Sequence, residues 1–185
     1  MHEASVKGSD WHVVVGGFRD VLVDDVEGLL SKVGEAVGVS PFQLFDADRI
    51  AGWEHIYFAA VNAVRAHEGG AAISRGLAME VLLYAACVDQ ISQALDVVGV
   101  SPYTERVGLL VMSLNKEDAT DAFKRASDML GVIDDSVLAV DGRKLEAIAG
   151  IYGVSDTELD TVCKPREEAL MWIIVERGAL LPLRR

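Results

Sequence analysis

The stretch Val107-Gly-Leu-Leu-Val-Met-Ser-Leu114 (VGLLVMSL) decides the fold. It is apolar almost throughout, without the polar alternation of a strand that faces water on one side, so it reads as a buried central strand. Asn115, directly behind it, suits a helix N-cap. Asp118 falls in the first helical turn, where an acidic side chain meets the positive end of the backbone dipole. Ala119, Ala122, Phe123, Ala126, Met129 and Leu130 then recur at helical spacing as far as Gly131. A buried strand running straight into an amphipathic helix predicts sheet and helix packed in layers.

Working upstream, Ser74 is expected to cap a helix carrying Leu77, Val81, Tyr84, Ala85 and Val88. The pattern runs on through Ile91, Leu95 and Val98 to Gly99, with a break near Ala86–Cys87. Ile56, Ala59, Ala60, Ala63 and Val64 mark an earlier helix, and Phe42 to Ile50 (FQLFDADRI) a strand. Val26, Leu29, Leu30, Val33 and Val37 form one helical face, closed by Gly38. Trp11 to Phe18 (WHVVVGGF) reads as a short strand closed by Gly16 and Gly17, and residues 1–10 as a loose tail.

Downstream, Val132 to Val140 reads as a turn feeding a short strand. Asp141 can cap a helix through Leu145, Ile148, Ala149 and Tyr152, closed by Gly153; Ser155 or Asp156 starts a short helix to Cys163. Pro165 stands as a first-turn proline before a last helix with Leu170, Ile173 and Ile174. The order, roughly βαβααβαβααα, predicts one α+β domain over residues 11–185. Its sheet should be small and mixed, covered mainly on one face by several helices.

The chain has 185 residues, long enough for a self-sufficient core. Acidic residues outnumber basic ones 29 to 17, a formal charge of -12 that disfavours a surface built wholly for nucleic acid. Mean hydropathy is high at +0.26. The longest uncharged runs, such as Ala36 to Phe45, still fall short of the ~18–20 residues of a membrane span. The first ten residues are polar and lack the apolar core of a secretory signal. Cys87 and Cys163 lie far apart, without a CxxC pair, and are expected to be reduced and buried in a cytosolic protein.

Motifs for catalysis are missing: there is no GxGxxG, P-loop, GxSxG or HExxH. His2, His12, His55 and His67 have no metal-ligand spacing, so neither a metal nor a cofactor is expected. Asp24-Asp25 and Asp134-Asp135 could grip magnesium with further oxygen ligands; helix capping and turn chemistry explain them better. For RNA, the available pieces are Arg49, His55, Arg65, Arg75 and Arg106, with Trp53 and Tyr57 as stacking surfaces. The apolar content also fits a protein that buries one face against a partner.

Three blocks carry a family resemblance. Ser74 to Gly99 (SRGLAMEVLLYAACVDQISQALDVVG) sets Glu80 inside an apolar helix, then Ala85-Ala86-Cys87, Gln90-Ile91 and Ala94-Leu95. VGLLVMSL is followed by a helix and by Gly131 to Val140 (GVIDDSVLAV). Phe45 to Val64 (FDADRIAGWEHIYFAAVNAV) gives a strand and helix with His55 near the helix start. Together these blocks resemble the KEOPS kinase-binding subunit family, over roughly Phe42 to Leu183.

The resemblance implies a non-catalytic accessory subunit that binds the N-lobe of the small PRPK-type KEOPS kinase. It also implies help in recruiting tRNA, through its CCA end, for threonylcarbamoyladenosine formation in the anticodon loop. The tRNA-contact candidates are then His55, Arg75, Gln90 and Arg49. Partner-interface candidates are Trp172 and Leu180, which lie off the main stripe of the last helix, with Ile133 and Leu138. The free protein is expected to be a monomer or to self-associate weakly. One departure bears on RNA: Asp89 stands where the family typically has arginine, and an aspartate repels phosphate. A standalone RNA-binding module would instead show a basic patch with Arg49, Arg65 and Arg75. A small hydrolase would set Asp134 and Asp135 in a cleft with a further acid.

Overall fold

The computed structural model describes residues 1–184. VGLLVMSL forms the central strand β4 (Val107–Ser113), paired antiparallel with β2 (His12–Arg19) on one side and β3 (Phe42–Asp46) on the other. The outer edge of β2 takes two further strands, β1 (His2–Ser5) and β5 (Val132–Ile133). Every pairing is antiparallel, which corrects the expected mixed sheet. The helical crossover from β2 to β3 does make those two strands parallel, but β4 fills the slot between them.

Both faces of the sheet are buried. Val14 and Phe18 of β2, Leu44 of β3, and Leu109 and Val111 of β4 pack under α1 (Val26–Val37) and α5 (Lys116–Ser127). Val13, Val15, Phe45, Leu110 and Met112 point the other way, into α2 (Trp53–Glu68) and α3 (Leu77–Ala86). This is why the strands read as unbroken apolar runs, and it corrects the expectation of cover mainly on one face. α4 (Ile91–Val98) continues from α3. α6 (Gly142–Tyr152), α7 (Asp156–Thr161) and α8 (Arg166–Ala179) form an outer layer whose core joins Ala51, Leu145, Ile148, Leu159, Leu170 and Ile174. No single described helix is long and apolar enough to cross a membrane.

Caps fix most helix starts. Asp25 accepts from the amides of Glu27 and Gly28, Asn115 from Glu117 and Asp118, and Asp141 from Lys144. Ser155 and Glu158 form a reciprocal capping box at α7. Ser74 does not cap α3, which starts at Leu77 behind Gly76.

Three further expectations change. The first ten residues are not wholly a loose tail: four of them form β1, in register from His2↔Val15 to Ser5↔His12. Gly16 and Gly17 do not close β2 but lie within it, because a β-carbon at Gly16 would sit 2.5 Å from the Phe123 ring and one at Gly17 2.6 Å from Val137. The 132–140 segment runs strand first, then a 3-10 turn, Asp135–Leu138.

Candidate partner interface

A continuous run of aromatic side chains crosses the surface from the sheet edge to α8. Trp53 and Tyr57, one turn apart on α2, have ring centroids 5.9 Å apart; Tyr57 meets Phe58 at 5.2 Å and Phe58 meets Trp172 of α8 at 5.4 Å. At the other end the His2 ring lies flat on Trp53, at 4.7 Å and 3° between planes. Pairing of β1 with β2 puts His2 there, since His2 and Ala4 share the sheet face that α2 covers. The polar tips are held as well: Tyr57 donates to the Ser5 carbonyl at 3.0 Å and the Trp172 indole N–H to Glu168 at 3.4 Å.

The band continues round the sheet edge. The Met1 amine is ion-paired with Asp135, and His2 Nε2 lies 3.8 Å from the same carboxylate. Burial, then the positive amine, pulls the His2 pKa down, so the ring stacks mostly neutral near pH 7. Met1, Phe123 and Ile133 then line an apolar cleft of about 320 Å³ beside α5. Two partner candidates mark the ends of this band, Ile133 at 56% exposure and Trp172 at 38%. Leu180 is equally exposed, beyond the end of α8. Leu138 is only 2% exposed and packs in the core, which removes it from any surface.

The tRNA candidates are not brought together. His55 is 2% exposed, so it is a helix-start hydrogen bonder rather than an RNA-facing group. Its Nδ1 accepts from the Ala51 amide (3.2 Å), so Nε2 carries the proton and donates to the Ala85 carbonyl (2.9 Å). Burial pushes its pKa down to about 4. Arg49 is tied to the C-terminal carbonyls of α4, at Asp96 and Val97, and to Asp46 at 3.5 Å. Arg75 and Gln90 are exposed but stand beyond opposite ends of α3, whose ten residues span roughly 15 Å. The Glu80 carboxylate, fully buried, pins the turn before Arg75 by accepting from the amides of Ile73 and Ser74 (3.0 and 2.6 Å). Trp53 offers no free stacking face on the side that His2 covers.

Most of the remaining reactive groups have structural partners. Cys87 takes a left-handed φ of 58° at the α3 C-terminus and donates its thiol to the Ile174 carbonyl; burial raises its pKa to about 12. Cys163 is exposed, against the expectation that both thiols are buried. Lys144 donates to the carbonyls of Val137, Leu138 and Ala139, which end the 3-10 turn, and burial lowers its pKa to about 8. Asp134 caps that turn through Ser136, which lowers its pKa, and Asp135 accepts from the Gly17 amide. Ser5 Oγ lies 3.1 Å from His12 Nδ1 on the exposed sheet edge. No group of three or more metal-ligating side chains occurs among the described residues.

Sequence reasoning reached Trp53, Tyr57, Trp172 and Ile133 singly but missed His2, Phe58 and Met1. The Trp53–Tyr57 helical spacing could have joined those two rings, but nothing in the first residues signals the strand that brings His2 and Met1 to them.

What the described residues assemble is a band of aromatic side chains on a layered α+β scaffold. Residues 18–180 match the family model described as kinase binding protein CGI-121, and the chain belongs to that kinase-binding family, the KEOPS kinase-binding subunits that its three sequence blocks resemble. A comparison with curated proteins gave no match.

Proposed function

We propose that this protein is a non-catalytic, cytoplasmic accessory subunit of a KEOPS-type assembly, which binds the small PRPK-type kinase through its aromatic band. The family match carries the kinase reading. The band supports its location: interfaces gain most of their energy from a few large, half-buried aromatic anchors inside a polar rim. Trp172, Trp53 and Tyr57 are such anchors, and Glu168 is a rim group.

In the same reading the subunit helps bring tRNA, by its CCA end, to threonylcarbamoyladenosine modification. Arg75 and Gln90 are the two candidates left exposed and uncommitted to backbone carbonyls. Two polar contacts about a helix length apart, beside Asp89 and on a chain of charge -12, give little affinity alone. The tRNA contact therefore belongs to the complex, where the kinase and other subunits supply the positive charge. A standalone RNA module would need the Arg49–Arg65–Arg75 patch, and Arg49 is engaged elsewhere.

Light scattering on a size-exclusion column, with this protein and the kinase from the same genome, tests the reading. A one-to-one complex with both partners folded supports it; separate elution at micromolar concentration counts against it. Fluorescence anisotropy with labelled tRNA tests the second part, with binding expected for the complex and not for the subunit alone.

A further inference from the structure

The 3-10 turn Ala47–Arg49, the residue before β4 and the first turn of α6 enclose a cleft of about 280 Å³ that neither the kinase nor the tRNA reading uses. Asp48, Arg106, Asp141, Arg143, Lys144 and Ala147 line it, so three cations meet two carboxylates. Arg106 is matched by Asp48 at 2.6 Å. Asp141 turns to its own helix and accepts from the Lys144 amide at 2.8 Å. Arg143 is exposed; Asp141 feels its charge, but the two form no ion pair. Lys144 is the unusual member, at 7% exposure. Its ammonium donates to the carbonyls of Val137, Leu138 and Ala139, which satisfy its hydrogen bonds but leave its charge without a counter-ion. A buried charge that lacks an opposite charge is costly. Burial accordingly draws its pKa down to about 8; Asp48, Asp141 and Asp46 offset this only in part, and Arg106 adds to it.

Two cations without an ion-pair partner among the described residues, one of them buried, line one small cleft on a body of charge -12. That combination suits an anion, and a charge-assisted contact to phosphate is among the stronger ones available. The carboxylates narrow the choice. Arg106 holds Asp48 through Oδ1, which is buried, while 45% of the side chain stays exposed; Asp141 is exposed as well. Carboxylates repel a bare anion but accept from hydroxyls, as they do from those of ribose. The volume lies just below the ~300–1,000 Å³ of ordinary ligand pockets, room for one small polar ligand. We propose that this cleft binds a free sugar phosphate of ribose size, with the phosphate against Arg143 and Lys144 and the hydroxyls against Asp48 and Asp141. The bound dianion supplies the counter-charge that Lys144 lacks.

The test is titration calorimetry on the full chain with ribose 5-phosphate, inorganic phosphate and ribose. Ribose 5-phosphate should bind, inorganic phosphate more weakly, and ribose not at all. Arg143→Gln removes an exposed cation without touching the core, and should weaken ribose 5-phosphate by about tenfold or more. Arg166→Gln, a cation of the α8 start paired with Asp156 and Asp160, should leave it unchanged. Thermal melts confirm that both variants are folded. RNA carries the same groups, so a single-stranded oligonucleotide without a terminal phosphate is the further arm, and it should bind more weakly than ribose 5-phosphate. The proposal is overturned by no binding of ribose 5-phosphate at millimolar concentration, by inorganic phosphate or ribose binding equally well, or by unchanged affinity in folded Arg143→Gln. Tighter binding of the oligonucleotide overturns it too, by assigning the cleft to RNA. The kinase takes no part in these titrations, so a failure of kinase binding leaves their outcome readable.

Discussion

Acidification should weaken this fold through His55, by an amount the structure sets. In the folded state Nε2–H donates to Ala85 and Nδ1 accepts from Ala51. Protonation at Nδ1 would turn a donor toward the Ala51 N–H inside a site that is 2% exposed. Its pKa therefore falls from 6.5 to about 4. The unfolded chain takes up a proton near pH 6.5 and the folded one only near pH 4, so between these values the unfolded state binds more protons. Stability from the neutral ring is present above pH 6.5, is lost as pH falls, and changes little from this source below pH 4. From pH 7 to pH 5 the loss is about 2 kcal/mol, with a limiting slope of about 1.4 kcal/mol per pH unit. Burial of His2 acts in the same direction, so the comparison must be with a variant. Urea unfolding at several pH values between 7 and 5, on the wild type and His55→Gln, isolates the effect. His55→Gln keeps a donor for Ala85 but does not titrate, so its stability should fall by about 2 kcal/mol less across that range. Equal losses in the two proteins would refute the argument.

Two further outcomes follow from α3 and its neighbours. A β-carbon at Gly178 would stand 2.8 Å from the Tyr84 carbonyl, where α8 crosses α3, so Gly178→Val should cost about 2 kcal/mol by overpacking. A fall in Tm of about 4–8 °C by calorimetry is expected, and no change would mean that the helices separate freely. Thiol titration under native conditions should modify one cysteine, Cys163, promptly. Cys87, with its pKa near 12 and its thiol on Ile174, should react only on unfolding; two fast equivalents would contradict that burial.

Local chemistry made much of the fold legible. The unbroken run at 107–114, the caps Asn115, Asp141 and Ser155, and the glycines at 38 and 153 each state their element within a few residues. Longer-range facts were not legible. The antiparallel sheet depends on β4 inserting between β2 and β3, and nothing local to 107–113 says which strands it parts. Gly16 and Gly17 look like strand breakers until Phe123 and Val137 are seen pressing on them. The surface was harder still. Arg49 reads as a free cation until α4 turns its last carbonyls toward it, and His55 as a candidate RNA-facing group until Ala85 approaches from another helix. The aromatic band depends on β1, a four-residue strand whose sequence, HEAS, carries almost no strand signal.

The central claim, that this chain binds a small kinase through the aromatic band, is tested most directly by titration calorimetry of wild type and Trp172→Ala against the kinase from the same genome. Tyr103→Ala, equally a lost exposed aromatic but in the loop before β4, serves as the control. Loss of a half-buried tryptophan anchor costs about 2 kcal/mol, so Trp172→Ala should bind about thirtyfold more weakly while Tyr103→Ala matches the wild type. Equal affinity for wild type and Trp172→Ala, or a larger loss in Tyr103→Ala, would contradict the account.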